Sequence, residues 1–274
     1  MIAYMSFEWL KLTKRWMPRI ILFLMVCLTV LAFWGQGSRV GNQGDLFLPR
    51  GWLAALIYAS FFAPFFWPVL GGSWAGNEYG WGTIRMILTR RPYRIQHALG
   101  ALSILLVAVA LALVAMLLVG SVAGFLVGVL TGNGGFTSGV LSAGFLGTLL
   151  KSFLAAWYVG AFYLILAYAA GTVFRSAAVG IGIGIGSTLA EVVLRGIFTA
   201  LGGTWRDVAQ HFPVVYTQDM ARLVAAPQLI PGSSMASVGS DLPGIGESIV
   251  LLAIYMAILL AITLVTLRTR DVTA

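Results

Sequence analysis

The sequence predicts an all-α integral membrane protein with six transmembrane helices, an N-terminal interfacial helix, and a cytosolic helix between the second and third spans. Composition is the first observation behind this. Of 274 residues, 59% are hydrophobic and only 9% charged, whereas a soluble domain is about a quarter charged. With a mean hydropathy of +0.94, the chain has too little polar surface to face water all round, so lipid must be its solvent. The second observation is length. Six apolar runs reach the ~20 residues that cross a hydrocarbon core of about 30 Å: 17–34, 52–75, 98–130, 145–173, 177–200 and 244–267. The third is the placement of charge, which collects at the ends of these runs.

Charge placement sets orientation, because short cytosolic loops carry an excess of Lys and Arg. With the N-terminus inside, eleven basic residues fall on the inner side: Lys11, Lys14, Arg15, Arg19, Arg85, Arg90, Arg91, Arg94, Arg175, Arg268 and Arg270. Six fall on or near the outer side: Arg39, Arg50, Lys151, Arg195, Arg206 and Arg222. Both termini are therefore expected in the cytosol, with the chain in a plasma (inner) membrane as a single membrane domain over 1–274. The first run follows basic residues as a signal peptide would. It ends in Leu31-Ala32-Phe33-Trp34 without a small-x-small cleavage pattern, so it reads as an uncleaved span.

Along the chain, Met5, Trp9, Leu12 and Trp16 recur at helical spacing, while Glu8, Lys11 and Arg15 take another face. That pattern fits a short helix lying in the interface with its tryptophans at headgroup depth. The third run is long for a span and must tilt, bend or project, with Gly120, Gly124 and Gly128 as places for close packing or bending. The 202–243 stretch is too short for a stable soluble domain. It is expected to form an outer loop or a partly re-entrant cap, with an amphipathic piece from Tyr216 to Ala226.

Several chemistries are excluded. The net charge of +8 sits at span ends rather than on one folded face, which argues against nucleic acid. No Gly-x-x-x-x-Gly-Lys-Ser/Thr phosphate loop and no Gly-x-Ser-x-Gly elbow occurs. The single cysteine, Cys27, lies inside the first span, so no disulfide can form within the chain. His97 and His211 fall on opposite sides and have no cysteine or carboxylate at metal-ligand spacing. No metal site and no catalytic residue is expected, and His97 reads as an interfacial polar residue.

The loaded segment is Glu78 to Arg94, which carries Arg85, Arg90, Arg91 and Arg94 between two very apolar stretches. Thr83 is suited to cap a short helix through Ile84–Leu88, and Pro92 to stop it. Such a rod would present arginines to a cytosolic partner or to anionic lipid, with Glu78 placed to hold one of them. The pattern Glu78-x-x-x-Gly82-Thr83-x-Arg85-x-x-Leu88-x-x-x-Pro92-x-Arg94 resembles the first coupling segment of ABC-2 type transporter permeases. The resemblance extends to the N-terminal helix, the six spans, the Phe174-Arg175-Ser176 turn and the Leu267–Asp271 tail. It implies a dimer of permeases, this chain with a second copy or a related one, above two ABC ATPase subunits that bind ATP and Mg. In that reading Gly82, Thr83, Arg85, Arg90, Arg91, Pro92 and Arg94 meet the ATPase, Glu78 braces the loop, and this chain itself binds no cofactor. The alternative is that the arginines only set topology and bind lipid.

Two further features stand out. Gly180, Gly184, Ser187, Glu191 and Arg195 share one helical stripe in the fifth span. Small residues at that spacing allow close helix approach, and Glu191 and Arg195 can pair as an i, i+4 couple. The stripe is expected to form a dimer seam or the wall of an outer exit path, or else to end in a snorkelling pair at the boundary. Pro64 and Pro68 in the second span kink a helix and offer a hinge, or static kinks. The sequence thus points to a transport subunit for an amphiphilic or lipid-like substrate. An ion-conducting or pumping protein would need several carboxylates within its spans, and only Glu191 is well inside one. A structural or sensory membrane subunit that docks a regulator through the loop is a second alternative, and a membrane enzyme acting on lipid is a third that lacks a convincing acid–base or metal cluster.

Overall fold

The computed structural model describes residues 2–37, 46–82, 94–131, 143–224 and 244–269, and their regular structure is helical. In chain order the helices are α1 (Ile2–Lys14), α2 (Trp16–Gly37), α3 (Arg50–Gly80), α4 (Arg94–Leu130), α5 (Ala143–Val173), α6 (Ala177–Leu201), α7 (Gly203–Gln210), α8 (Pro213–Val224) and α9 (Ile245–Thr269). Among the described residues, six of these are long and apolar enough to cross a membrane: α2, α3, α4, α5, α6 and α9. Each matches one expected span and overruns it by a few residues at most, because the helices continue past the strictly apolar stretch. The protein is a multi-pass membrane protein.

α3 is the axis of the bundle and α5 is its main partner, with α6 packed on both. The reason lies in a run of small residues near the end of α3. At Gly71 the backbone is so close to Leu164 of α5 that an added Cβ would strike the Leu164 carbonyl. A Cβ on Gly72 would come 2.7 Å from the Gly180 carbonyl carbon, and one on Gly76 would strike Ala177. α5 answers with Ala167 and Gly171, and α6 with Gly180 and Gly184. Small faces let helices meet through their backbones, which is how membrane helices associate when lipid removes the hydrophobic drive. Trp67 of α3, almost fully buried, sets its indole against Gly160 of α5.

α4 is a single helix of 37 residues. Gly120 and Gly124 lie against Gly51, Ala55 and the Leu46 carbonyl, so they serve close packing. The outward-facing residues of several helices are apolar: Phe23, Leu31, Leu118, Val122, Val193 and Val265 are all more than half exposed. This inverts a soluble protein, as expected for chains solvated by lipid. α1 follows the same logic. It buries Tyr4, Glu8 and Leu12 and turns Phe7, Trp9 and Leu10 outward.

In the 202–243 stretch the described part forms α7 and α8. α8 is set among α3, α5, α6 and α9 and buries Val214, Val215, Tyr216, Thr217, Asp219 and Met220. Two of its buried polar groups are engaged: Asp219 accepts from Ser248 Oγ at 2.7 Å, and Thr217 meets Tyr163 Oη at 3.1 Å.

The α3/α5/α6 junction gives the first prediction. Replacing Gly72 or Gly76 with valine should lower the stability of the detergent-purified protein by about 1–3 kcal/mol or more, as overpacking does. Gly182 and Gly186 have open space around their Cβ positions, so alanine there should change the thermal midpoint by no more than about 0.5 kcal/mol equivalent. Equal effects at both pairs would contradict the packing described.

Candidate functional site

The most polar interior point of the described residues lies where α1, α3 and α4 meet, at the end of the bundle that holds Lys11, Lys14, Arg15, Arg94, Arg175 and Arg268. Glu8 projects inward from α1 and is fully buried. Its carboxylate accepts from Lys11 Nζ at 2.8 Å and from Trp74 Nε1 at 2.6 Å. Glu78, one turn beyond Trp74 on α3, accepts from the same Lys11 ammonium and lies 2.9 Å from His97 Nε2 of α4. His97 Nδ1 faces Glu8 at 3.8 Å and has no hydrogen-bond partner. Lys11 also lies over the Trp74 ring, 4.7 Å from its centroid, and Arg15 covers the same ring at 4.9 Å. Burial pulls the Arg15 guanidinium down from its ordinary value, and the charges of Glu78 and Glu8 oppose that pull.

Two carboxylates out of water cost several kcal/mol each unless paired and hydrogen-bonded. Here two cations, one indole N–H and one imidazole answer them. The cluster comes close to charge balance: two carboxylates against Lys11 and Arg15. Glu8, Glu78 and His97 also offer three ligand atoms within 4.8 Å of one another, a spacing that suits a metal. Lys11 already bonds both carboxylates, however, and an ion would have to displace that ammonium. The donor set fits an internal ion pair better than a metal centre.

This corrects the expectation for His97. It is not an interfacial residue without carboxylate partners: it is buried between two of them. Sequence spacing could not show this, because Glu8, Glu78 and His97 come from three different helices.

The loaded segment is rooted in this cluster. Of the residues expected to couple, Glu78, Gly82 and Arg94 are described, while Thr83, Arg85, Arg90, Arg91 and Pro92 lie outside the described residues. α3 ends at Gly80, and Gly82 has φ +67°, a left-handed conformation that suits glycine. Arg94 opens α4 and donates to the Leu267 carbonyl of α9 at 3.3 Å. The Phe174-Arg175-Ser176 turn lies alongside, with Arg175 over the Tyr79 ring at 6.0 Å and Ser176 capping α6 through Val179 N–H. Both roots of the segment are thus fixed, one through Glu78 and the other through Arg94 and His97.

The stripe on α6 divides. Gly180 and Gly184 close onto α3 and α5 of the same chain, with Gly184 against Pro68. Ser187 bonds back to the Gly184 carbonyl at 3.2 Å. Glu191 accepts from Val214 N–H at 2.7 Å, and Arg195 donates to Gln218 Oε1 at 2.6 Å. Glu191 therefore sits at the N-terminus of α8, where a carboxylate satisfies a free N–H and complements the helix dipole. Pro64 and Pro68 both lie inside the continuous helix α3.

Among the described residues, six membrane-length helices surround a buried polar cluster at the roots of one basic segment. A profile described as "ABC-2 family transporter protein" matches residues 4–191, well over half of the chain. The chain belongs to the ABC-2 transporter family, and it is a permease-type membrane component of ABC transport. The match takes in most of α1, the whole buried cluster and the basic segment. No curated protein matches the chain significantly.

The cluster gives the second prediction. Lys11→Met leaves Glu8 and Glu78 buried without their shared cation, and should cost about 3–5 kcal/mol, as breaking one side of a buried pair does. The thermal midpoint in detergent reads this. A midpoint within error of the unchanged protein would show that the cluster is not buried as described.

Proposed function

We propose that this chain is the permease subunit of an ATP-driven exporter in a plasma (inner) membrane, with both termini cytosolic. It works with a second permease chain and with separate ABC ATPase subunits that bind ATP and Mg. The observation that carries this reading is the clamping of both roots of the basic segment by one buried cluster. Glu78 precedes the segment, His97 follows it, and the two are 2.9 Å apart. A rod docked on an ATPase transmits force only if its roots are stiff. Here a push on the segment moves α3 and α4 together, and α1 with them through Lys11, or else breaks buried ion pairs.

In this reading Arg85, Arg90, Arg91 and Arg94 meet the ATPase, with Gly82, Thr83 and Pro92 shaping the segment. Glu78 is a positioning residue. Movement passes up α3, where Pro64 and Pro68 provide the hinge, to the junction with α5 and α6. The outer face of α6, with Leu189, Val192, Val193 and Ile197 exposed, is suited to a second permease or to the exit path, together with Ser187, Glu191 and Arg195. The substrate is amphiphilic or lipid-like, because small and aromatic residues with few charges line the candidate path. Export rather than import follows the ABC-2 resemblance.

Purification from the native host in mild detergent should recover a stoichiometric chain that carries the phosphate loop absent here, with ATPase activity. Arg85→Glu with Arg91→Glu should weaken substrate-stimulated hydrolysis roughly tenfold, within the usual range of coupling energies, and leave the thermal midpoint unchanged. A purified chain with no nucleotide-binding partner would sink the proposal and favour a channel or sensor.

A further inference from the structure

A groove of about 420 Å³ opens between α1, α2, α3 and α4 near the basic end. Met25 and Trp67, both buried, form its floor, and Ala112 lines the α4 side. Trp9, Thr13 and Arg19 stand at its mouth. Along α2, the rise from Arg19 to Met25 is about 9 Å, so the groove has one charged end and an apolar interior. Arg19 donates to the Thr13 carbonyl at the free C-terminal end of α1. A guanidinium carries five N–H donors in a planar fork, so most of its capacity remains for another acceptor. Lys14, also exposed, adds positive charge at this end.

We propose that this groove is a binding site for one anionic phospholipid from the leaflet at the basic end. One acyl chain lies over Met25 and Trp67, and the headgroup phosphate takes the fork of Arg19, with Trp9 at the boundary. Charge complementarity singles out this occupant. Water gains little from a lining that is apolar below the mouth. A second copy of the chain is a poorer match, because the acidic residues described at this end, Glu8 and Glu78, are buried with Lys11. An anionic amphiphile supplies the acceptor and the apolar chain together, and Arg binds phosphate in bidentate fashion. The site has a structural consequence too. Trp9, Leu12 and Thr13 belong to the helix that carries Glu8 and Lys11, so a bound lipid packs α1 down onto the cluster. The proposal does not depend on the ATPase reading.

The test is native mass spectrometry of the full chain released from nanodiscs that contain phosphatidylcholine with dioleoyl phosphatidylglycerol. One phosphatidylglycerol per chain should be retained in preference to phosphatidylcholine. Arg19→Ala should reduce that retention about tenfold, the loss expected for a charge-assisted hydrogen bond, and Ala112→Phe, which fills the groove, should abolish it. Arg206→Ala, outside the groove, should leave it unchanged. In the unsubstituted protein, a phosphatidylglycerol with a diazirine on its acyl chain should label peptides containing Met25 or Ala112. Equal retention of both lipids, wild-type retention by both groove variants, or labelling confined to other helices would overturn the proposal. So would loss of a dimer with no loss of lipid in Ala112→Phe, which would assign the groove to a second copy.

Discussion

Everything at the basic end of this protein depends on keeping two glutamates out of water. A carboxylate in a low-dielectric interior is costly unless it is paired, and Lys11 bridges both Glu8 and Glu78. Trp74 and His97 complete the set from α3 and α4. The cost of desolvation therefore specifies the arrangement. α1 cannot slide along α3 or rotate without separating Lys11 from one of its carboxylates. An otherwise apolar helix bundle has few directional contacts, and this cluster provides them where α1, α3 and α4 meet.

The junction of α3, α5 and α6 provides the complementary constraint. Its glycines and alanines bring backbones into contact, so their packing is intolerant of added volume but carries no charge. The two constraints share α3. Glu78 and Trp74 interdigitate in sequence with Gly72 and Gly76, so the helix that holds the ionic cluster on one side holds the small-residue contacts on the other. Displacement of the basic segment would therefore reach α5 and α6 through the same few turns. At the other end, Glu191 fixes the first turn of α8 and Arg195 fixes its second, which seats α8 in the mouth of the bundle.

Much of this was legible in the sequence, and the limits have physical reasons. Six spans follow from hydropathy alone, because lipid imposes a length and a composition on each of them. Close packing at Gly180 and Gly184 was legible as a small-residue stripe, but its partner was not. Periodicity tells which residues share a face and says nothing about which helix that face meets. In α3 the sequence singles out Pro64 and Pro68, while Gly71, Gly72 and Gly76 carry the contacts. The ionic cluster escaped almost entirely. Glu8 and Lys11 at i, i+3 on an amphipathic helix look like a solvated face, and His97 looks like a boundary residue. Only the fold brings Glu8 and Lys11 of α1, Glu78 of α3 and His97 of α4 to one point. One signal was present: acidic residues are scarce in this chain, and Glu8 and Glu78 both flank apolar runs at the basic end.

A double-mutant cycle between Lys11→Met and Glu78→Gln, read as thermal or denaturant stability of the purified protein, tests the central claim most directly. The two substitutions should be strongly non-additive. The double variant should recover about 1 kcal/mol or more of the sum of the single losses, as contacting buried charges do. Losses that simply add would mean that Lys11 and Glu78 do not share a buried pair, and the basic segment would then have no rigid root.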